Sequence, residues 1–226
     1  MSLRQFVKSK RFFDIYTTLL ILIAVFFLWN TLVAYPLKIL VVFFHESSHG
    51  IATLLTGGKI LAFELVPQAG GHVVSAGGNR FITLTAGYLG SLLWGVAIFY
   101  IAVSSHKDRL LMGGLGVLLL VITLLFASNT FAMLFGISTG VAMLLSSKYL
   151  SIKVNDFLLR VIGLTSMMYV PLDIYSDTIQ RSYLPSDAFM LAQEFGGTTM
   201  LWGGVWLMLS IFTIFYSLRR LFRAKK

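Results

Sequence analysis

The sequence predicts an all-α polytopic membrane protein with about six to seven transmembrane helices and one short glycine-rich β-hairpin. Of its 226 residues, 57% are hydrophobic and only 12% are charged, and the mean hydropathy is +0.84. Soluble domains carry about twice that share of charged residues, so the composition indicates a membrane protein. The second observation is a series of apolar segments of roughly 20 residues, which is the length that crosses a bilayer.

Seven apolar segments are candidate transmembrane helices, and seven is the maximum number. They lie at 13–34, 36–56, 81–103, 110–127, 129–147, 157–178 and 200–218. The basic ends, "RQFVKSKR" and "RRLFRAKK", would both face the cytoplasm only with an even number of spans, so six and seven both stay open. The short break between 110–127 and 129–147 fits either a tight helical hairpin or a less regular connection.

Two segments are not predicted to cross the membrane. Residues 57–80 alternate apolar and polar residues and contain three Gly-Gly pairs, a pattern typical of a short β-hairpin. Residues 181–199 are typical of an interfacial loop followed by a short helix, whose N-cap is Ser186 or Asp187. Because no repeat or low-complexity linker divides the chain, we expect residues 1–226 to form a single integral-membrane domain.

Charge and cysteine content exclude several kinds of site. The net charge of +9 comes from basic residues at the ends and in short loops, which suits anionic lipid and gives no groove for nucleic acid. The chain has no cysteine, so any metal must be held by His, Asp or Glu. The first apolar run continues past Trp29 without a signal-peptide cleavage site, so we expect an uncleaved span. A compact chain of this kind suits a bacterial cytoplasmic membrane, and an organellar membrane stays open.

The polar stretch "HESSH" interrupts the second apolar segment. His45 and His49 are four residues apart, so on a helix both imidazoles face one side and can reach a single ion. Glu46 lies beside the first histidine and can act as general base on a zinc-activated water. Ionisable side chains are costly inside a membrane, which favours a functional zinc site over two structural histidines.

A catalytic zinc needs a third protein ligand and an open position for water. The carboxylates that remain as candidates are Asp173 and Asp177, near the end of one span, and Asp187 beyond it. Asp173 and Asp177 share a helix face, where a cation between them would relieve their repulsion. Asp173 is nearer the centre of its span, so we expect Asp173 to be the third ligand. Asp177 is then its partner or an alternative ligand.

These motifs resemble the site-2 protease family of intramembrane zinc metallopeptidases, and more closely its compact bacterial-type branch. The similarity covers most of residues 35–210. The matching stretches are "HESSHG" (45–50), "QAGGHVVSAGG" (68–78), "AGYLGS" (86–91), "PLDIYSD" (171–177), "SDAFMLAQEFGG" (186–197) and "WGGVW" (202–206). Better-known members carry Leu-Asp-Gly, whereas Ile174 follows Asp173 here, so the choice between Asp173 and Asp177 stays open. The resemblance implies cleavage of a membrane-protein substrate within its transmembrane segment.

Three functions are compatible with the sequence. The first is a zinc-dependent intramembrane endopeptidase in which His45, His49 and Asp173 bind Zn²⁺ and Glu46 activates water. The second is a metal-ion transporter, but a transport path needs polar residues along several spans, and here they cluster on two. The third is a non-catalytic membrane scaffold, which would not require Glu46. A further hypothesis is that a strand edge at 59–76 holds the unwound substrate by β-augmentation. The hairpin formed by these residues, called the ribbon below, would serve equally as a plug that shapes a cavity at the zinc site.

Overall fold

The computed structural model describes residues 3–222 of the chain and is almost entirely helical. Residues 1–2 and 223–226, which include the end of the basic C-terminal stretch, lie outside the described residues. The helices are α1 (Leu3–Leu28), α2 (Tyr35–Leu55), α3 (Arg80–Ser104), α4 (Asp108–Phe126), α5 (Thr130–Tyr149), α6 (Ile152–Tyr175), α7 (Asp187–Phe195) and α8 (Thr199–Phe222). One π-helical turn, Ser176–Gln180, extends α6.

Each predicted span falls mainly on a helix, although the first, 13–34, extends beyond the end of α1 at Leu28. Within residues 3–222, five helices are long and apolar enough to cross a membrane: Arg80–Ser104, Asp108–Phe126, Thr130–Tyr149, Ile152–Gln180 and Thr199–Arg220. The first predicted span falls on α1, whose apolar part is the shorter Asp14–Leu28. The second falls on α2, which the polar motif interrupts. The structure therefore confirms a mostly helical integral-membrane fold with five candidate spans.

The glycine-rich segment forms the predicted hairpin. Strands β1 (Lys59–Val66) and β2 (Gly70–Ala76) pair antiparallel, with Glu64 opposite His72. The other edge of β1 is covered by the connection between α4 and α5. There, the amide of Ser128 donates to the carbonyl oxygen of Phe63 at 3.0 Å, and the Asn129 side chain donates to that of Leu65 at 2.7 Å. This connection is thus an extended segment paired with the ribbon, and among the described residues the outer edge of β2 is left free.

Two glycines allow α3 and α6 to pack closely. A β-carbon on Gly95 would lie 2.8 Å from the carbonyl oxygen of Gly163, and one on Gly163 would lie 2.8 Å from the backbone nitrogen of Phe99. Small residues are what bring transmembrane helices this close, because apolar side chains gain little by leaving lipid. The contact sets the position of α3, which carries part of the site described below.

A buried ion cluster joins α1 to α6. The Arg160 guanidinium lies 2.9 Å from carboxylate oxygens of both Asp14 and Asp156. A charge buried in this way needs partners, since an unpaired one is expensive in an apolar environment. The cluster gives Asp14 and Asp156 a shared cationic partner.

Replacing Gly95 tests the close contact of α3 with α6. We expect Gly95→Ala to lower the free energy of unfolding by about 1–3 kcal/mol, because the new methyl group meets backbone atoms that cannot rotate away. Gly114→Ala on α4 is the matched control, since its β-carbon meets nothing within 4 Å. Thermal unfolding of both variants in one detergent measures the difference, and equal melting temperatures would contradict the packing argument.

Candidate metal centre

Helix α2 buries a polar motif in an apolar environment. His45, Glu46 and His49 are all buried, as are Ser47 and Ser48 between them. The two serines need no outside partner, because their hydroxyls donate to the carbonyl oxygens of the preceding turn at 2.6 and 2.7 Å. The side chains of the histidines and the glutamate make no such hydrogen bonds within α2, so they require partners from other elements.

Asp187, the first residue of α7, meets both histidines. One carboxylate oxygen lies 3.1 Å from Nε2 of His45 and 3.2 Å from Nε2 of His49. The three donor atoms lie within 4.8 Å of one another, and all three residues are buried. Burial by itself raises the pKa of Asp187, but the imidazoles of His49 and His45 outweigh it and hold that pKa well below its ordinary value.

Helix α3 orients the imidazoles from the opposite side. Nδ1 of His49 lies 2.7 Å from the carbonyl oxygen of Thr83, so its N–H donates a hydrogen bond to that oxygen. The unprotonated Nε2 is then the atom of His49 that is available to a metal ion. The ring of Tyr88 stands edge-on to that of His45, with 5.1 Å between centroids. Between these two residues, Gly87 presents no side chain to the histidines.

The space at Gly87 and the donor set both fit a metal ion. A β-carbon built on Gly87 would lie 2.5 Å from Nε2 of His45 and 2.5 Å from Nε2 of His49, so any larger residue would fill the point where these nitrogens converge. Two imidazoles and one carboxylate are a donor set of catalytic zinc sites, which keep a fourth position open. The cluster is therefore consistent with a metal site.

A cavity of about 580 Å³ opens beside the cluster. Its walls include the three cluster residues and Glu46, and the ribbon closes one side at residues 68–73. Strand β2 passes directly over the glutamate, because a β-carbon on Gly71 would lie 2.9 Å from Cγ of Glu46. The carboxylate of Glu46 is thus buried at the cavity wall, next to the histidines but outside the three-residue cluster.

The two aspartates that the sequence favoured lie in the same cavity but not in the cluster. Asp173 lies beside the Tyr169 hydroxyl, and Asp177 accepts a hydrogen bond from Tyr88 and pairs with Arg181 at 2.9 Å. The structure brings Asp187 to the histidines in place of Asp173. Asp187 begins α7, which folds back over the cavity, whereas Asp173 lies on α6 in the cavity wall but outside the three-residue cluster. The sequence leaves Asp187 among the three candidate carboxylates, but nothing local to the chain places it beside His45 and His49.

The cap itself agrees with the prediction for this segment. Ser186 is the N-cap of α7, and its hydroxyl accepts a hydrogen bond from the amide of Phe189 at 3.3 Å. Because Ser186 caps the helix, the carboxylate of Asp187 does not serve as the cap and is available to the histidines.

Comparison with known proteins identifies one family. The sequence profile of the family described as Peptidase M50B-like matches residues 18–217. No curated protein sequence and no solved structure gives a significant match. The matched range includes the polar motif of α2, the ribbon and α7.

Replacing Gly87 tests whether the cluster binds metal at the point where its nitrogens converge. We expect Gly87→Ala to reduce zinc bound by the purified protein to background, because the methyl group occupies the space between the two Nε2 atoms. Gly204→Ala on α8 is the control, since its β-carbon meets nothing within 4 Å. Elemental analysis of both variants gives the answer, and full zinc content in Gly87→Ala would show that the metal lies elsewhere.

Proposed function

Because the chain belongs to the Peptidase M50B-like family, we propose that it is a zinc-dependent intramembrane endopeptidase that cleaves membrane proteins in or near their transmembrane segments. The single observation that carries the proposal is the buried convergence of His45, His49 and Asp187 beside Glu46. The family implies a metallopeptidase, and the polar cavity among candidate spans supports hydrolysis at membrane depth.

The metal ligands in this proposal are His45, His49 and Asp187. A zinc ion held there would act as Lewis acid on the scissile carbonyl and would make water a stronger nucleophile near neutral pH. Asp187 offsets part of the charge of the ion, which matters in an apolar setting. Asp173, the ligand expected from the sequence, stays a possible partner of the site because it lines the same cavity.

Glu46 is the general base in this proposal. Its carboxylate lies at the cavity wall and is not part of the ligand cluster, so it is free to accept a proton. It takes that proton from the attacking water and passes it to the amine nitrogen as the C–N bond of the peptide breaks. A scaffold would gain nothing from a buried carboxylate at this place, which supports an enzyme over the scaffold.

The substrate segment must unwind before it reaches Glu46, because a helical peptide bond is shielded by its own hydrogen bonds. Residues 70–73 of β2 line the cavity, and among the described residues the outer edge of this strand pairs with no other strand, so its backbone groups are available to an extended chain. The outer edge of β1 is taken by Ser128 and its neighbours. We therefore assign substrate binding by β-augmentation to β2.

Zinc content of variants tests the ligand assignment. We expect about one zinc per chain in the unsubstituted protein, and background levels in His45→Ala and Asp187→Asn. Asp173→Asn is the matched control, because the same change is made in the same cavity outside the cluster. Loss of zinc in Asp173→Asn with retention in Asp187→Asn would return the third ligand to Asp173.

Glu46→Gln separates catalysis from metal binding. We expect it to keep its zinc and to lower the cleavage rate by about 10²–10⁴-fold, because the amide cannot accept a proton. Membranes containing either form are compared by sequencing new protein N-termini. Termini inside apolar segments that appear with the unsubstituted protein alone support the proposal, whereas equal sets from both forms would refute it.

Proline substitutions test substrate binding at β2. The backbone amides of successive strand residues point to opposite edges of the strand. Of the variants Val73→Pro and Val74→Pro, one therefore removes an amide that faces the free edge of β2, and the other removes an amide that faces β1. We expect the outward-facing change to keep zinc but to lose cleavage of the substrates found above. Unimpaired cleavage by both variants would favour the ribbon as a plug.

A further inference from the structure

Helix α7 is short, and its position must be fixed by contacts with other elements. It has nine residues, follows the exposed stretch 181–185, and ends at Phe195, before Gly196 and Gly197, which both have positive φ. Asp187 is its first residue, so a turn of α7 by one residue would swing that carboxylate by about 100° away from the histidines. Some contact must therefore define the rotation of α7.

One face of α7 carries both Asp187 and the residues that meet α3. Met190 and Glu194 lie three and seven residues after Asp187, which places all three on the same side of the helix. Nε of Arg80 lies 3.1 and 3.3 Å from the two carboxylate oxygens of Glu194. Nη2 of Arg80 lies 3.2 Å from the sulfur of Met190. A single side chain of α3 thus contacts two turns of α7.

Neither charge is placed where its own helix would favour it. Arg80 is the first residue of α3, where the helix dipole is positive, and Glu194 is next to last in α7, where the dipole is negative. Each position is unfavourable by itself, and the two become favourable only through each other. Their pairing is therefore explained by the docking of α7 on α3 and not by the stability of either helix.

Apolar and aromatic contacts also hold α7, because Ala188 and Leu191 are fully buried and Phe195 packs at its end. The ring of Phe81 lies 5.4 Å from that of Phe195 and 5.6 Å from that of Trp202, and the indole of Trp202 donates to the carbonyl oxygen of Gly196 at 2.9 Å. Such contacts anchor the helix end. The ion pair adds to this packing a directional, charge-assisted contact on the same face of α7 as Asp187.

We propose that Arg80 and Glu194 are positioning residues that hold α7 at the rotation and distance where Asp187 completes the metal centre. Arg80 reaches α7 from the first turn of the same helix that presents Thr83 and Gly87 to the histidines, so α3 aligns all three ligands. The link to zinc rests on the proposed function, whereas the docking of α7 does not.

The docking is measured first in metal-free protein. The chain contains no cysteine, and the side chain of Leu191 is fully buried under α7, so alkylation of the single thiol in Leu191→Cys reports opening of this helix. In the Leu191→Cys protein, we expect the added substitutions Arg80→Gln and Glu194→Gln each to increase the rate of alkylation about two- to five-fold. The matched control is Arg109→Gln, whose guanidinium contacts the carbonyl oxygen of Leu150 instead.

A charge exchange tests the pairing itself. The double variant Arg80→Glu/Glu194→Arg keeps opposite charges and places each where its own helix dipole favours it. We expect its alkylation rate to return to within about two-fold of the starting rate. If the double variant is alkylated as fast as the single variants, the pairing is refuted. The pairing is also refuted if the single variants are alkylated no faster than Arg109→Gln.

Zinc release tests the connection to the metal centre. Without the introduced cysteine, we expect Arg80→Gln and Glu194→Gln to lose zinc to EDTA about two- to five-fold faster, with unchanged melting temperatures. We expect the double variant Arg80→Glu/Glu194→Arg to release zinc at the rate of the unsubstituted protein. Unchanged zinc release together with faster alkylation would refute the positioning role. If the unsubstituted protein binds no zinc, the proposed function fails, and the alkylation rates still decide whether Arg80 and Glu194 dock α7.

Discussion

The structure depends on one constraint, which is that a carboxylate from α7 is buried against two imidazoles of α2. Burying Asp187 alone would be costly, and its contacts at 3.1 and 3.2 Å to His45 and His49 offset that cost. Meeting the constraint requires a chain that returns from the end of α6 to the start of α7. It also requires a wall, supplied by α3 at Gly87, that leaves room at the point of convergence.

Helix α3 is the element through which the other parts of the site are aligned. It accepts the hydrogen bond from His49 at Thr83, packs on α6 through Gly95, and meets α7 through Arg80. A displacement of α3 would therefore alter the orientation of an imidazole and the position of the carboxylate together. The ribbon completes the cavity from the other side and is tied to the α4–α5 connection by Asn129.

The buried ionisable groups discussed above lie in two places where they meet partners of opposite charge. One such place is the cavity, and another is the Arg160 cluster with Asp14 and Asp156. The separation agrees with the cost of ionisable groups in lipid, which tolerates them only when they are paired or face a polar space. It also explains why so few acids were available as candidates for the third ligand.

Hydropathy, glycine pairs and the spacing of His45 and His49 are local properties of the chain, so the helical membrane fold, the hairpin and the family could be predicted from the sequence. It placed Glu46 beside the first histidine for the same reason. The partner of the histidines was decided only by tertiary structure. Asp173 and Asp187 are both plausible by type, and the one that meets α2 depends on how α7 folds back across the cavity. That path is a long-range property, set by contacts between residues more than 100 positions apart, such as Arg80 and Glu194.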